Sequence, residues 1–150
     1  MSLMQIFNVS GSAASAQGQR LNTVASNLAN ADSIAEPGAQ PYRARQVVFQ
    51  TMLMGNGGSA GFGGDGVGTE DGASAGVRVS NIVESNDKPR RVHSPGHAAA
   101  DAEGYVTYSN VSPIDEMANM ISASRAYQSN IDVMNTAKAL LGKTLQLGQG

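Results

Sequence analysis

No cysteine occurs in the 150 residues, so neither a disulfide framework nor a cysteine-ligated metal site is open to this chain. Such a composition suits a protein that works outside the cytoplasm. Tryptophan is absent too, aromatic residues make up 5% and charged residues 15%, which is lean for a chain that must build its own core. No run of about 18 apolar residues is present, so no segment reads as a membrane-spanning helix. The N-terminus has neither the basic region nor the apolar stretch of a secretory signal. Export, if it occurs, is expected by a route that does not read such a signal. A net charge of −2 gives no electrostatic case for nucleic acid. The length suits one domain, or a small domain with extensions.

Motifs that would carry chemistry fail on context. Gly61-Phe62-Gly63-Gly64-Asp65-Gly66 matches the dinucleotide fingerprint GxGxxG in letters. It lacks the preceding strand and following helix that the fingerprint needs. Gly142-Lys143-Thr144 resembles the end of a phosphate-binding loop, but Ala137 stands where the earlier glycine belongs and the pattern is helical. His93, His97 and Asp101 have the spacing of ligands on a helix, which Pro95 and Gly96 would break. Asp115 and Glu116 are better explained by a helix N-terminus than by acid–base work. No enzyme, cofactor or metal is therefore expected.

What is present lies mostly at the two ends. Steps of four and three connect Leu3, Phe7, Ser10, Ala14, Gln17, Leu21, Val24 and Leu28, a heptad-like seam that is apolar at most positions. Ser2 and Gln5 fit a capping box, and about 26 helical residues would span roughly 40 Å. At the other end Met117, Met120, Ser124, Tyr127, Ile131, Met134, Lys138, Leu141 and Leu145 form a second seam, widened by Ile114 and Ile121. Ser112 suits the N-cap, Pro113 the first helical position and Gly148 the stop. Gly11, Gly18 and the small-residue run from Ser10 to Ala16 weaken the first helix and bury little area. Periodicity alone leaves two readings open: a two-helix hairpin in a small globular domain, or helices that become stable when packed among several neighbours.

The middle reads as loops and short strands. Residues 30–42 are rich in turn formers. A strand is expected within 42–54, centred on Val47, Val48 and Phe49. A glycine-rich flexible loop covers 55–76 and holds ten of the chain's 18 glycines. Further strands are expected at 76–84 and 105–108. Asn27 and Asn30 flank Leu28 at the end of the first helical pattern. Asparagine tolerates turn conformations and bonds back to the backbone, so the pair would end the helix and anchor the exiting chain.

Val24 to Asp32 resembles the N-terminal signature of the flagellar rod and hook axial proteins. Gln40 to Gln50, Ala100 to Val106, Met117 to Lys138 and Lys143 to Gln149 are similar to the proximal-rod branch of that family, in the same order along the chain. The departure is 55–76, where the family loop is usually shorter. The resemblance implies a mainly α fold with a small β-element. Long N- and C-terminal helices would pair as a coiled-coil-like inner (axial) domain, made of residues 1–30 and 112–150. Residues 31–111 would form an extended, β-rich middle region. It also implies a structural subunit of the bacterial flagellar rod, helically assembled around the export channel in the periplasm. Such subunits pass the flagellar type III export apparatus without a cleaved signal. Copies of the chain itself and the rod proteins FlgB, FlgF, FlgG and FliE would be the partners.

On that basis, assembly packing is expected from Leu3, Phe7, Leu21, Val24, Leu28, Met117, Ile121, Tyr127, Ile131, Met134, Leu141 and Leu145. Asn27, Leu28, Asn30, Tyr42 and Arg43 form the family motif, and Tyr42, Arg43 and Arg45 are candidates for bonds between subunits. The competing reading is a self-contained binding module, a helical hairpin with a small β-cap.

Overall fold

The computed structural model describes residues 3–54 and 74–148. The chain runs α1 (Leu3–Ala29), β1 (Ile34–Ala35), β2 (Arg45–Met54), β3 (Ser74–Glu84), β4 (Arg91–His93), β5 (Tyr105–Tyr108) and α2 (Pro113–Leu147). Both long helices stand where the periodicity places them, and α1 lies against α2. They run antiparallel: Arg20 of α1 donates to Asn119 near the start of α2, while Leu3 lines a groove with Ala137 and Leu140 near its end.

The start of α2 follows from its sequence. Ser112 is extended and its hydroxyl accepts from the Asp115 amide, at the long distance of 3.5 Å. Pro113 needs no hydrogen bond for its nitrogen there, and Asp115 and Glu116 sit at the positive end of the helix dipole. Gly148 caps the other end with its amide on Thr144 O at 3.1 Å. Its φ of −81° is open to any residue, so the stop does not use glycine's freedom. Ser2, the expected cap of α1, lies outside the described residues.

β2 and β3 form a two-stranded antiparallel sheet with a bulge at Val48/Phe49, where Val48 faces Asn81 and Phe49 faces Val79. The expected strand at 76–84 opens earlier, so Ser74 to Gly76 belong to β3 and not to the glycine-rich loop. Residues 55–73 of that loop lie outside the described residues. The hairpin lies along α1, and the Ser12 hydroxyl accepts from the Val77 amide at 3.1 Å. A second sheet has the order β1-β5-β4, all antiparallel. β1 and β4 are two and three residues long, too short to show a period of two in sequence. They exist because β5 stands between them.

Little of the chain is fully covered. Ala31, Ala44 and Val111, with Tyr42 against them, make a small core where the exit of α1, the start of β2 and the approach to α2 converge. Val106 of β5 is wholly buried. On α1 the covered residues are Ser10, Ala14, Ala16, Thr23, Val24 and Asn27.

Candidate functional site: helix surfaces and an asparagine latch

On α2 the covered row is Glu116, Ala123 and Ala137, at heptad spacing, with Asn130 half-buried between them. The apolar row read from sequence, from Met117 through Ser124 and Ile131 to Lys138, begins one residue later, about 100° further round the helix. The row of α2 that faces α1 is thus not its most apolar one. The reason is size: small side chains on facing helices allow close approach, and the covered residues of α1 include Ser10, Ala14 and Ala16. The larger residues remain on the flanks or outside. Met117, Ile121, Tyr127, Leu141 and Leu145 are exposed, Ile131 and Met134 half-buried. On α1, Val24 is buried while Leu3, Phe7, Leu21 and Leu28 are half-buried. The sequence-derived set is therefore spread over more than one surface. Leu3, Phe7, Ala137 and Leu141 share one shallow apolar groove at the free end of the helix pair.

The family-motif residues do converge. Asn27 is fully buried. Its Nδ2 donates to Arg45 O at 2.8 Å, and its Oδ1 accepts from Arg45 N at 2.9 Å and from the Tyr42 hydroxyl at 3.0 Å. One carboxamide thus pairs both backbone groups of Arg45, as a neighbouring strand would. A buried backbone group left unpaired costs about 1–3 kcal/mol, so this latch holds the first residue of β2 on the last turns of α1. Asn30 acts locally: its Nδ2 donates to Ser26 O, and its carbonyl accepts from the amide and hydroxyl of Ser33. Within the chain Arg43 reaches Asn86 at 3.3 Å, and Arg45 pairs with Glu84 at 3.4 Å while lying over the Tyr42 ring. Leu28 sits on the flank of the same turn.

Two tethers went unread in the sequence. Asn110 accepts from the Ala44 amide at 2.6 Å and donates to Ser85 O and Asp87 O, tying both strands of the hairpin to the segment before α2. Ser109, buried, donates to Ala31 O at 2.6 Å. Asparagine and serine in a loop carry no periodic signal. Their only hint was a location just ahead of the Ser112 cap.

Between α1, α2 and β2 lies a cleft of about 350 Å³ lined by Arg20, Val24, Arg45, Val47, Phe49 and Glu116, among others. Glu116 is nine-tenths buried, and among the described residues its Oε2 has no hydrogen-bond partner. The Arg20 guanidinium beside it is engaged by Asn119 at 3.1 Å.

His93, His97 and Asp101 lie along β4 and its connection to β5, each engaged locally. The His93 ring packs edge-on to Tyr105, at 5.1 Å between centroids, and His97 Nδ1 accepts from the Ala99 amide. Asp101 accepts from the amides of Glu103 and Tyr105 and pairs with Arg91 at 2.6 Å. The Tyr105 amide, foremost, and Arg91 hold its carboxyl below the usual value despite some desolvation. Gly142, Lys143 and Thr144 are ordinary turns of α2. Gly61 to Gly66 lies outside the described residues.

Comparison with known proteins finds matches at both ends of the chain. The family described as "Flagella basal body rod protein" matches residues 7–33, and "Flagellar basal body rod FlgEFG protein C-terminal" matches residues 102–147. The flagellar basal-body rod protein FlgC of Yersinia enterocolitica is 51% identical over 149 residues, covering 99% of this chain and all of the relative. FlgC of Escherichia coli O157:H7 is 48% identical over the same span. FlgC of Bacillus subtilis (strain 168) is 36% identical over 163 aligned positions, again with 99% of this chain and all of the relative covered. With likeness of this extent along its whole length, the chain belongs to the FlgC family of flagellar basal-body rod proteins and is a structural subunit of the flagellar rod, not an enzyme.

Proposed function

We propose that this subunit builds the proximal part of the rod by packing α1 and α2 among the corresponding helices of its neighbours. Residues 1–30 and 112–150 form the axial domain of the resulting tube around the export channel, and 31–111 form its outer, torque-bearing part. The neighbours are copies of the chain and the rod proteins FlgB, FlgF, FlgG and FliE. The subunit passes the type III export apparatus without a cleaved signal and functions in the periplasm.

One observation carries the reading. α2 turns small or polar residues toward α1 and leaves large apolar ones outside, with Ile114 79%, Ile121 56%, Leu145 62% and Leu147 83% exposed. Covering such a side chain contributes about 1.5–3 kcal/mol at full burial, so the stabilisation available to α2 lies largely in contacts beyond its own chain. A contact of this kind, repeated with rotation and rise, yields a helical assembly and not a closed dimer.

Ile121→Asp and Leu145→Asp test it. Both side chains are exposed, so synthesis and folding of the isolated subunit should persist while rods fail and cells stop swimming. Normal motility in both variants would exclude the outer face of α2 from assembly.

A further inference from the structure

The rod reading leaves open which surfaces of neighbouring copies meet. A buried acceptor and an exposed cation narrow the choice. Glu116 lines the cleft between α1, α2 and β2, and one of its buried carboxylate oxygens has no donor among the described residues. Arg20, on the same cleft, donates to Asn119, and Arg45 pairs with Glu84; neither is hydrogen-bonded to the Glu116 Oε2. On the outer side of α2, Arg125 is exposed and among the described residues makes no hydrogen bond or ion pair.

Helix geometry prevents the two from meeting within one chain. Glu116 and Arg125 are nine residues apart, about two and a half turns, which places them on opposite faces roughly 13 Å apart along the axis. One chain therefore presents an acceptor on one side and a matching donor on the other. The apolar surroundings match as well. Arg125 follows Ile121 by one turn on the exposed ridge, and Val24, Val47 and Phe49 wall the cleft. The other cations of α2, Lys138 and Lys143, lie more than twice as far along the helix, beyond the cleft's end of the subunit. Arginine's planar, weakly hydrated head is also the better partner for a carboxylate in a covered site.

We infer that Arg125 of one copy enters the α1–α2–β2 cleft of the next and pairs with Glu116 there. The inference rests on the proposal that copies of this chain lie side by side in the rod. The contact is heterologous: the donor face of each copy is used once and its cleft once, so the pairing continues from copy to copy without closing on itself. Glu116 is left without a donor in the single subunit because its donor belongs to the neighbour.

The cysteine-free sequence permits a direct test. Gln46→Cys places a thiol at the cleft rim and Gln128→Cys places one a turn from Arg125, on the face opposite Asn119, so the two cannot join within one chain. Basal bodies from cells carrying both changes are oxidised and separated without reductant. A ladder of dimers and larger species is the expected result. Monomer alone from basal bodies that contain the protein would overturn the contact and leave the rod reading intact. A cross-linked product containing another protein would overturn the second copy as occupant. If the unaltered chain were missing from purified basal bodies, the rod reading itself would fail and the contact with it. A second measurement uses charge. Arg125→Glu should sharply reduce the swimming halo by facing Glu116 with another carboxylate, and adding the near-isosteric Glu116→Gln should restore much of it. An Arg125→Glu halo of normal size, or a double variant as poor as the single, would overturn the pairing.

Discussion

Asn27 shows how one side chain can set the junction of two elements. Its amide carries three hydrogen bonds in a fully buried position, two of them to the backbone of Arg45. Asn27→Ala strands the Arg45 amide and carbonyl and should cost about 2–5 kcal/mol, whereas Tyr42→Phe removes one bond and should cost about 1 kcal/mol. Urea unfolding measures both. A loss below 1 kcal/mol for Asn27→Ala would mean that water replaces the latch at no penalty. Asp101 supports the turn into β5 in a different way. Its carboxylate accepts from two amides and pairs with Arg91, which lowers its pKa below the ordinary 3.8. A depressed folded value means that the carboxylate's contribution is complete above the unfolded pKa and is lost as pH falls through the folded one. The protection factors of the Glu103 and Tyr105 amides, with the intrinsic exchange rate divided out, should therefore fall only below about pH 4, and Asp101→Asn should abolish that fall. Unchanged acid sensitivity in the variant would assign it to another group.

At the scale of the element, α1 retains residues that weaken it. Gly11 and Gly18 each cost about 1 kcal/mol relative to alanine, and a Cβ at either position meets nothing within 4 Å. Close packing inside the subunit therefore does not require them. Gly11→Ala and Gly18→Ala should stabilise the isolated chain by about 1 kcal/mol each. If neighbouring helices press against these positions, the same changes should impair swimming. Stabilised variants with normal motility would remove that role. The helices themselves were legible because caps and period agree: Ser112, Pro113, Asp115 and Glu116 mark one start, and both patterns persist for many turns. The facing row of α2 was not, because apolar spacing marks residues suited to being covered without saying which neighbour covers them. Here alanine and a buried glutamate face inward and the larger residues face out. The Asn27 latch was half legible. Sequence suggested that asparagine would anchor the exiting chain, but the pairing with Arg45 depends on a return of the chain 18 residues later. β1 and β4 had no readable signal of their own, since each depends on β5 for its hydrogen bonds.

For the whole molecule, stability is concentrated at one end. The latch, the Asn110 tether and the small core of Ala31, Ala44 and Val111 all gather where α1 ends and α2 begins. Among the described residues the opposite end has shallow grooves, one lined by Leu3, Ile6, Val133 and Leu140 and one by Leu3, Phe7, Ala137 and Leu141, and Leu145 and Leu147 lie exposed beyond them. Exposed ends with few covered contacts open at little cost in free energy. Hydrogen exchange on the purified subunit should therefore show a gradient. Amides near Val24, Asn27 and Arg45 should be slowest, and those near the start of α1 and the last turns of α2 fastest. Incorporation into rods should slow the fast end, because neighbours then supply the burial that the chain lacks. That order of events would also suit the proposed export, since a subunit whose long helices are completed on assembly is easier to thread through a narrow channel and less prone to polymerise early. Fast exchange across both entire helices would extend coupled folding to the whole axial domain. Strong protection at both ends of the free subunit would instead show a preformed helical hairpin. Assembly would then be the docking of finished surfaces, and the self-contained binding module would become the better description of the monomer.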